Sequence, residues 1–296
     1  PAALGTDTGG SVRNPASMCG IAGLKPTYGL VSRRGVFPLS YSLDHVGPMT
    51  RTVRDNALLL QVLAAHDADD PGSAEVAIPD YTAALDAGVK GLRIGLARHL
   101  YATDEVANPE MIAAIDKAAE TLRDLGAEVR EIKLASFSDY ATCCRLIIRS
   151  EAYAIHRRWL EERPGDYGAL GRARMLDGAT ISAADYIDAL RMRGRLARQT
   201  LAAMTGYDAV LTASSLDPPP PIDDAEAMAK AYPRQVRQPF NVTGQPAIAI
   251  PAGFTADGLP LSIQLIGHPF QEAMVYRIAN AYEQATRWVD RHPPGL

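Results

Sequence analysis

This 296-residue sequence predicts an α/β fold, on three observations. LRIGLA (92–97) is a short apolar run, residues 109–126 keep a helical apolar stripe, and AEVREIKL (127–134) alternates in the manner of a strand. Strand, helix, strand at this size is a βαβ unit, the building block of α/β sheets. PAIAIPAGF (246–254) and LPLSIQLIG (259–267) are further apolar strands joined by a turn at TADG, and an amphipathic helix over 271–286 closes the fold.

In chain order, Pro1–Leu4 read as the tail of an element that began earlier, so the N-terminus is expected to be a cut. The first fifty residues are dense in glycine and proline, a composition that builds tight turns or a site. TVRDNALLLQVLAAHD (52–67) then carries a helical stripe with Asp55 in its first turn, and DADDPGS follows as a loop. In the βαβ unit, Pro109 opens the helix and Gly126 stops it. Residues 136–205 are mostly helical, and the arginine-rich run within 182–204 reads as a solvated helix face rather than an RNA contact. YDAVLTAS (207–214) is another strand, and DPPPPIDD is a proline-stiffened loop. With no internal repeat and no clear linker, residues 1–296 are expected to form one domain.

Hydrophobic residues make up 47% of the chain, charged residues 22%, and the net charge is −4. Acidic and basic residues are interspersed, so nothing electrostatic argues for nucleic acid or an anionic membrane as partner. No window reaches the roughly 18–20 apolar residues of a membrane helix, and no signal peptide is expected. The three cysteines, Cys19, Cys143 and Cys144, are no disulfide framework, so a cytoplasmic location is expected. The six histidines show no metal-ligand spacing and no nucleotide-loop motif occurs, so neither a metal nor a cofactor is expected.

The chemistry concentrates in GTDTGGSVRNPASMCGIAGLKP (5–26). Thr8-Gly9-Gly10-Ser11 offers successive backbone N–H groups with little bulk around them, a nest that can hold an anion. A serine ending such a turn is placed to attack a carbonyl while the same N–H groups stabilise the oxyanion. On the residues alone, other readings stay open. The loop can be a plain tight turn, or a phosphate loop lacking the GxxxxGK[ST] pattern, and Cys19 can be a nucleophile, although MCGIAGL reads as packed and inert.

The stretch GTDTGGSVRNPASMCGIAGLKPTYG closely resembles the second half of the amidase-signature motif, G-x-D-x-G-G-S-[IV]-R-x-P leading into C-G-x-x-G-L-K-P-T. SLDHVGPMTRTVRDNALLL, YDAVLTAS, PFNVTGQPAIAIPAGF and GLPLSIQLIG resemble later blocks of that family, so the resemblance spans nearly all of the chain. It implies a mixed β-sheet enclosed by helices, and a serine hydrolase acting on a small-molecule amide. Ser11 is then the nucleophile, the N–H groups of Thr8, Gly9, Gly10 and Ser11 are the oxyanion donors, and Asp7 and Arg13 support the loop. The oligomeric state stays open, a homodimer being one arrangement.

The family's other two catalytic members, a serine in a cis peptide and a lysine, lie further upstream than this sequence reaches, so the chain as given is expected to be inactive. Lys25 belongs to the GLKPT segment and accompanies the catalytic lysine, while Lys90, Lys117, Lys133 and Lys230 fall on surface helices or strand ends. Glutamine-using transamidation subunits carry a carboxylate just before their P-x-N segment; here YPRQVRQPFN has arginines, which favours a general amidase over that alternative. Pocket walls are expected from parts of 136–163 and 214–224.

Overall fold

The computed structural model describes residues 1–293. The chain opens with β1 (Ala2–Thr6) and passes through the glycine-rich turn into a short helix, α1 (Arg13–Cys19). Gly20 ends that helix in the left-handed conformation (φ 64°). β2 (Ala22–Lys25) and β3 (Val46–Thr50) follow, then α2 (Val53–Leu63), where the Thr52 side chain accepts from the Asp55 N–H. The expected helix over 52–67 is thus shorter, because Ala64 turns extended and bridges to Val31.

The βαβ unit is present as β4 (Arg93–Leu96), a single turn α3 (His99–Ala102), α4 (Pro109–Asp124) and β5 (Glu128–Glu131). β4 and β5 pair in parallel, with Ile94 opposite Val129. The helical middle resolves into α5 (Phe137–Glu162), α6 (Ala169–Leu176) and α7 (Ala183–Ala203), the last opened by a reciprocal cap between Ser182 and Asp185. β6 (Ala209–Ala213) is buried throughout. After the proline loop come α8 (Ala225–Ala231) and α9 (Gln238–Thr243). The antiparallel pair β7 (Ala247–Phe254) and β8 (Pro260–Ile266) and helix α10 (Glu272–Thr286) close the fold.

Eight strands form one mixed sheet in the order β1-β3-β2-β7-β8-β6-β4-β5, antiparallel from β1 to β6 and parallel from β6 to β5. Alternation along β8 shows how the sheet serves two layers. Gln264 reaches Arg13 at the start of α1, while Ile263 and Leu265 turn the other way and join the large apolar core that includes Val275 and Ile278 of α10. A smaller core of Tyr140, Cys143, Cys144, Ile147, Leu196 and Val242 ties α5, α7 and α9 together. Helices therefore cover the sheet, as the resemblance implied.

One expectation fails. Cys19 is exposed at the last residue of α1, not packed, because a seven-residue helix ending at an open Gly20 turn leaves its final side chain in solvent. Close strand contact also leaves no room at Gly47, where a Cβ would be driven into the Leu24 carbonyl oxygen. Gly47→Ala is expected to destabilise the chain by about 2–3 kcal/mol. Urea unfolding measures this, and an unchanged midpoint would show that β2 and β3 are not so closely apposed.

Candidate active site

The site grows from one carboxylate. Asp7 follows β1 directly, and its backbone N–H and carbonyl continue the ladder with His45, at 2.8 and 3.1 Å. Its side chain is fully buried. Oδ1 accepts from Gly10 N–H (2.8 Å), Arg13 Nη2 (2.9 Å) and Asn241 Nδ2 (2.8 Å). Oδ2 accepts from Val12 N–H (3.2 Å), Arg13 N–H (3.4 Å) and Arg13 Nε (3.0 Å). The first turn of α1 has no side-chain cap of its own, and Asp7 fills that role from six residues upstream of Arg13.

Arg13 is equally buried and turns every face of its guanidinium to a partner. Besides Asp7, Nη1 donates to the Arg237 carbonyl (2.9 Å) and Gln264 Oε1 (2.6 Å), and Nη2 donates to Asn241 Oδ1 (2.6 Å). Burial pushes the Asp7 carboxyl up, but the Arg13 charge and the hydrogen bonds from Arg13 and Asn241 outweigh it and hold the group below the usual carboxylate range. The pair is therefore a fully bonded buried ion pair, far from a surface contact of small energetic value.

The loop between these two residues carries the remaining expected groups. Thr8 is buried and its hydroxyl donates to Asp44 Oδ1 (2.6 Å), whose other oxygen accepts the Leu39 and Ser40 N–H groups. Gly10 takes φ 128°, a conformation open to glycine, and Arg237 lies against it so closely that a Cβ would come within 2.6 Å of Arg237 Nε. Gly9 is half-buried and faces Ile148 of α5, and Ser11 is exposed. One expected donor is otherwise engaged: the Gly10 N–H is bonded to Asp7, so it shapes the loop and is not presented to a ligand. Among the described residues, the N–H groups of Thr8, Gly9 and Ser11 have no hydrogen-bond partner, and neither has the Ser11 hydroxyl.

No basic side chain in the described residues hydrogen-bonds the Ser11 hydroxyl. Lys25 is fully buried, and its Nζ donates to the carbonyls of Gln245 (2.6 Å) and Pro26 (3.0 Å). Burial, then the neighbouring Arg13 charge, pushes its pKa well below the ordinary value. Lys90, Lys117, Lys133 and Lys230 are exposed. His45 uses Nδ1 on the carbonyls of Leu43 (2.7 Å) and Asp7 (3.1 Å), and burial, then the charge of Lys25, lowers its pKa well below normal.

Around the loop, α5 contributes Glu151, a buried carboxylate that accepts from the hydroxyls of Ser40, Ser42 and Tyr186 and so fastens the 40–42 segment beneath Asp44. A cavity of about 660 Å³ opens beside these supports, with Asp44, His45, Tyr28 and Arg33 in its wall. From the expected wall at 214–224, Ser214 contacts Ser17 of α1 and Arg237. Sequence reading assigned no role to Asn241, Gln264, Arg237, Asp44 and Glu151, although Asp44, Arg237, Asn241 and Gln264 fall in blocks it singled out. A further signal was that Asn241 and Gln264 are polar residues inside otherwise apolar blocks.

Asp7→Asn leaves the Arg13 charge buried and unpaired, at an expected cost of about 3–5 kcal/mol. Because the folded Asp7 carboxyl lies below its unfolded value of about 4, its contribution is complete above that pH and is lost as pH falls towards the folded value. Below about pH 4, stability should therefore rise with pH more steeply in the parent than in the variant. Parallel acid-unfolding curves would remove Asp7 from this role.

The chain matches the family model described as Amidase over residues 1–276. An amidase of Pseudomonas putida is 42% identical over 302 residues, which cover 98% of this chain and 64% of that protein. A glutamyl-tRNA(Gln) amidotransferase subunit from Synechococcus sp. (strain JA-2-3B'a(2-13)) is 39% identical over 316 residues, covering 99% of this chain and 61% of the relative. The crystal structure of a glutamyl-tRNA(Gln) amidotransferase subunit from Thermotoga maritima superposes with a TM-score of 0.82 at 33% identity, covering 96% of this chain and 62% of that one. The chain thus spans less than two thirds of the length of these relatives. A glycine loop held between Asp7 and Arg13, a sheet that superposes on these enzymes and a family match over nearly the whole chain lead to one assignment: this chain belongs to the amidase family, the amidase-signature enzymes.

Proposed function

We propose that the protein carrying this chain hydrolyses small carboxylic amides through an acyl-enzyme on Ser11. The observation that carries this reading is an exposed serine at the end of a loop whose Thr8, Gly9 and Ser11 N–H groups have no partner among the described residues. Ser11 Oγ attacks the amide carbonyl, its proton passes to a base, and the negative oxygen is received by those N–H groups. Collapse of the tetrahedral intermediate expels the amine with a proton, and water then cleaves the Ser11 ester to release the acid. Asp7 and Arg13 act on this chemistry only by fixing the loop.

The base is proposed to lie outside these residues. Lys25 is held by two carbonyls, and none of the remaining lysines hydrogen-bonds Ser11 among the described residues. A lysine relayed through a serine is what the family resemblance implies. Residues 1–296 are proposed to form one part of a single catalytic domain.

A general amide substrate is favoured over glutamine by the segment before Asn241. There Arg234 is paired with Asp217 and Arg237 is buried, with no carboxylate in the Tyr232–Asn241 segment to hold a free amino group. Relatives of both kinds, an amidase and amidotransferase subunits, are about equally similar, so the names alone do not choose.

In a preparation that hydrolyses an anilide, Ser11→Ala is expected to lower turnover on the order of 10⁶-fold with the fold intact. Near-normal turnover by the folded variant would remove Ser11 from the mechanism. The 296 residues alone are expected to release no more aniline than their own Ser11→Ala variant, because a serine without a base within reach is a poor nucleophile. Activity of the 296 residues that disappears in the variant would place the base inside them, with Lys25 the first to test.

A further inference from the structure

Arg237 differs from the other arginines beside the loop. Arg13 is matched by Asp7 and Arg234 by Asp217, whereas Arg237 joins no ion pair among the described residues. It is 3% exposed. Its Nη1 donates to the Ser214 carbonyl (3.0 Å) and the Ser215 hydroxyl (2.8 Å), and its Nε is buried with no partner. A buried cation in this state is costly to maintain, and a neutral side chain of similar volume would normally be more stable there. Burial, then the like charge of Arg13, pushes its pKa down to about 9.

Its position explains why the charge is kept there. Nε, Cδ and Cβ all lie against Gly10, within 2.6–2.9 Å of where a Cβ would stand. The next peptide carries the Ser11 N–H, which has no partner among the described residues. A positive charge without an ion pair therefore packs against the residue that precedes the Ser11 N–H. Arg237 itself is shielded from water, so its charge is weakly screened.

We propose that Arg237 is the counter-charge for the anion received at the Thr8–Ser11 loop, a positioning residue that makes this site selective for tetrahedral oxyanionic groups over neutral carbonyls. The proposal rests on the amide-hydrolase reading for its catalytic meaning, but anion binding by the loop can be measured without it. As an amide carbonyl becomes a tetrahedral oxyanion, the negative charge appears opposite a guanidinium that has had no partner. The gain is thus made in the transition state and not in the ground state.

The test is thermal melting of the 296-residue chain titrated with phenylphosphonate at fixed ionic strength, for the parent, Arg237→Met and Arg237→Lys. The parent should melt higher as phenylphosphonate is added. Arg237→Met should melt no lower than the parent without ligand, yet bind phenylphosphonate at least about tenfold more weakly, and Arg237→Lys should recover part of the affinity. In a preparation that hydrolyses an anilide, Arg237→Met should lower kcat about 30- to 100-fold with KM within about threefold. No response of the parent to phenylphosphonate, or equal affinity in parent and Arg237→Met, overturns the proposal. So does a less stable Arg237→Met whose stability alone is restored by lysine, since that marks a purely structural latch. A parent that binds phenylphosphonate through Arg237 while no preparation hydrolyses any amide defeats the amide-hydrolase reading and leaves the anion site standing.

Discussion

Everything around the candidate site hangs on the saturated carboxylate of Asp7. Six hydrogen bonds converge on its two oxygens, three from the loop and helix backbone and three from the side chains of Arg13 and Asn241. A buried carboxylate is tolerated only when its charge and lone pairs are fully met. That requirement curls the loop back over Asp7, engages the Gly10 N–H and leaves the Thr8, Gly9 and Ser11 N–H groups without partners among the described residues. The geometry of the proposed oxyanion site is thus a by-product of satisfying an acid beneath it.

The same demand ties the loop to distant parts of the chain. Arg13 reaches Gln264 on β8, Asn241 on α9 and the Arg237 carbonyl, partners 224 to 251 positions away in sequence. Gln264 in turn donates to the carbonyls of Ala213 and Val236, so the network grips the end of β6 and the entry to α9 as well. Each member is satisfied by another, which makes the cluster rigid and intolerant of partial loss. Lys25 lies in the same field, and its low pKa reflects burial first and then the charge of Arg13.

Packing supports this polar centre from two sides. Glu151 of α5 holds the Ser40–Ser42 segment, which presents Asp44 to Thr8, while the apolar cores anchor α5 and the sheet. The loop is therefore clamped at Thr8 from one direction and at Asp7 from another. Gly10, with φ 128°, follows the two clamps and lets the chain turn so that its N–H returns to Asp7.

Elements whose physics is local were legible in the sequence. The βαβ unit, the helical stripe that became α2, the arginine-rich helix within 182–204 and the β7–β8 hairpin each follow from residues a few positions apart. The loop motif, too, identified Asp7, Ser11 and Arg13 as belonging to one segment. Helix α1 was not legible, because its first N–H groups are capped by a residue outside the helix and its seven residues hold a proline. The exposure of Cys19 was hidden for a related reason, since an apolar neighbourhood in sequence says nothing about which way a short helix ends. Only the tertiary structure decided which loop N–H groups are engaged and that an unmatched Arg237 stands behind Gly10. Burial and charge pairing depend on what packs from hundreds of residues away, and no local pattern encodes that.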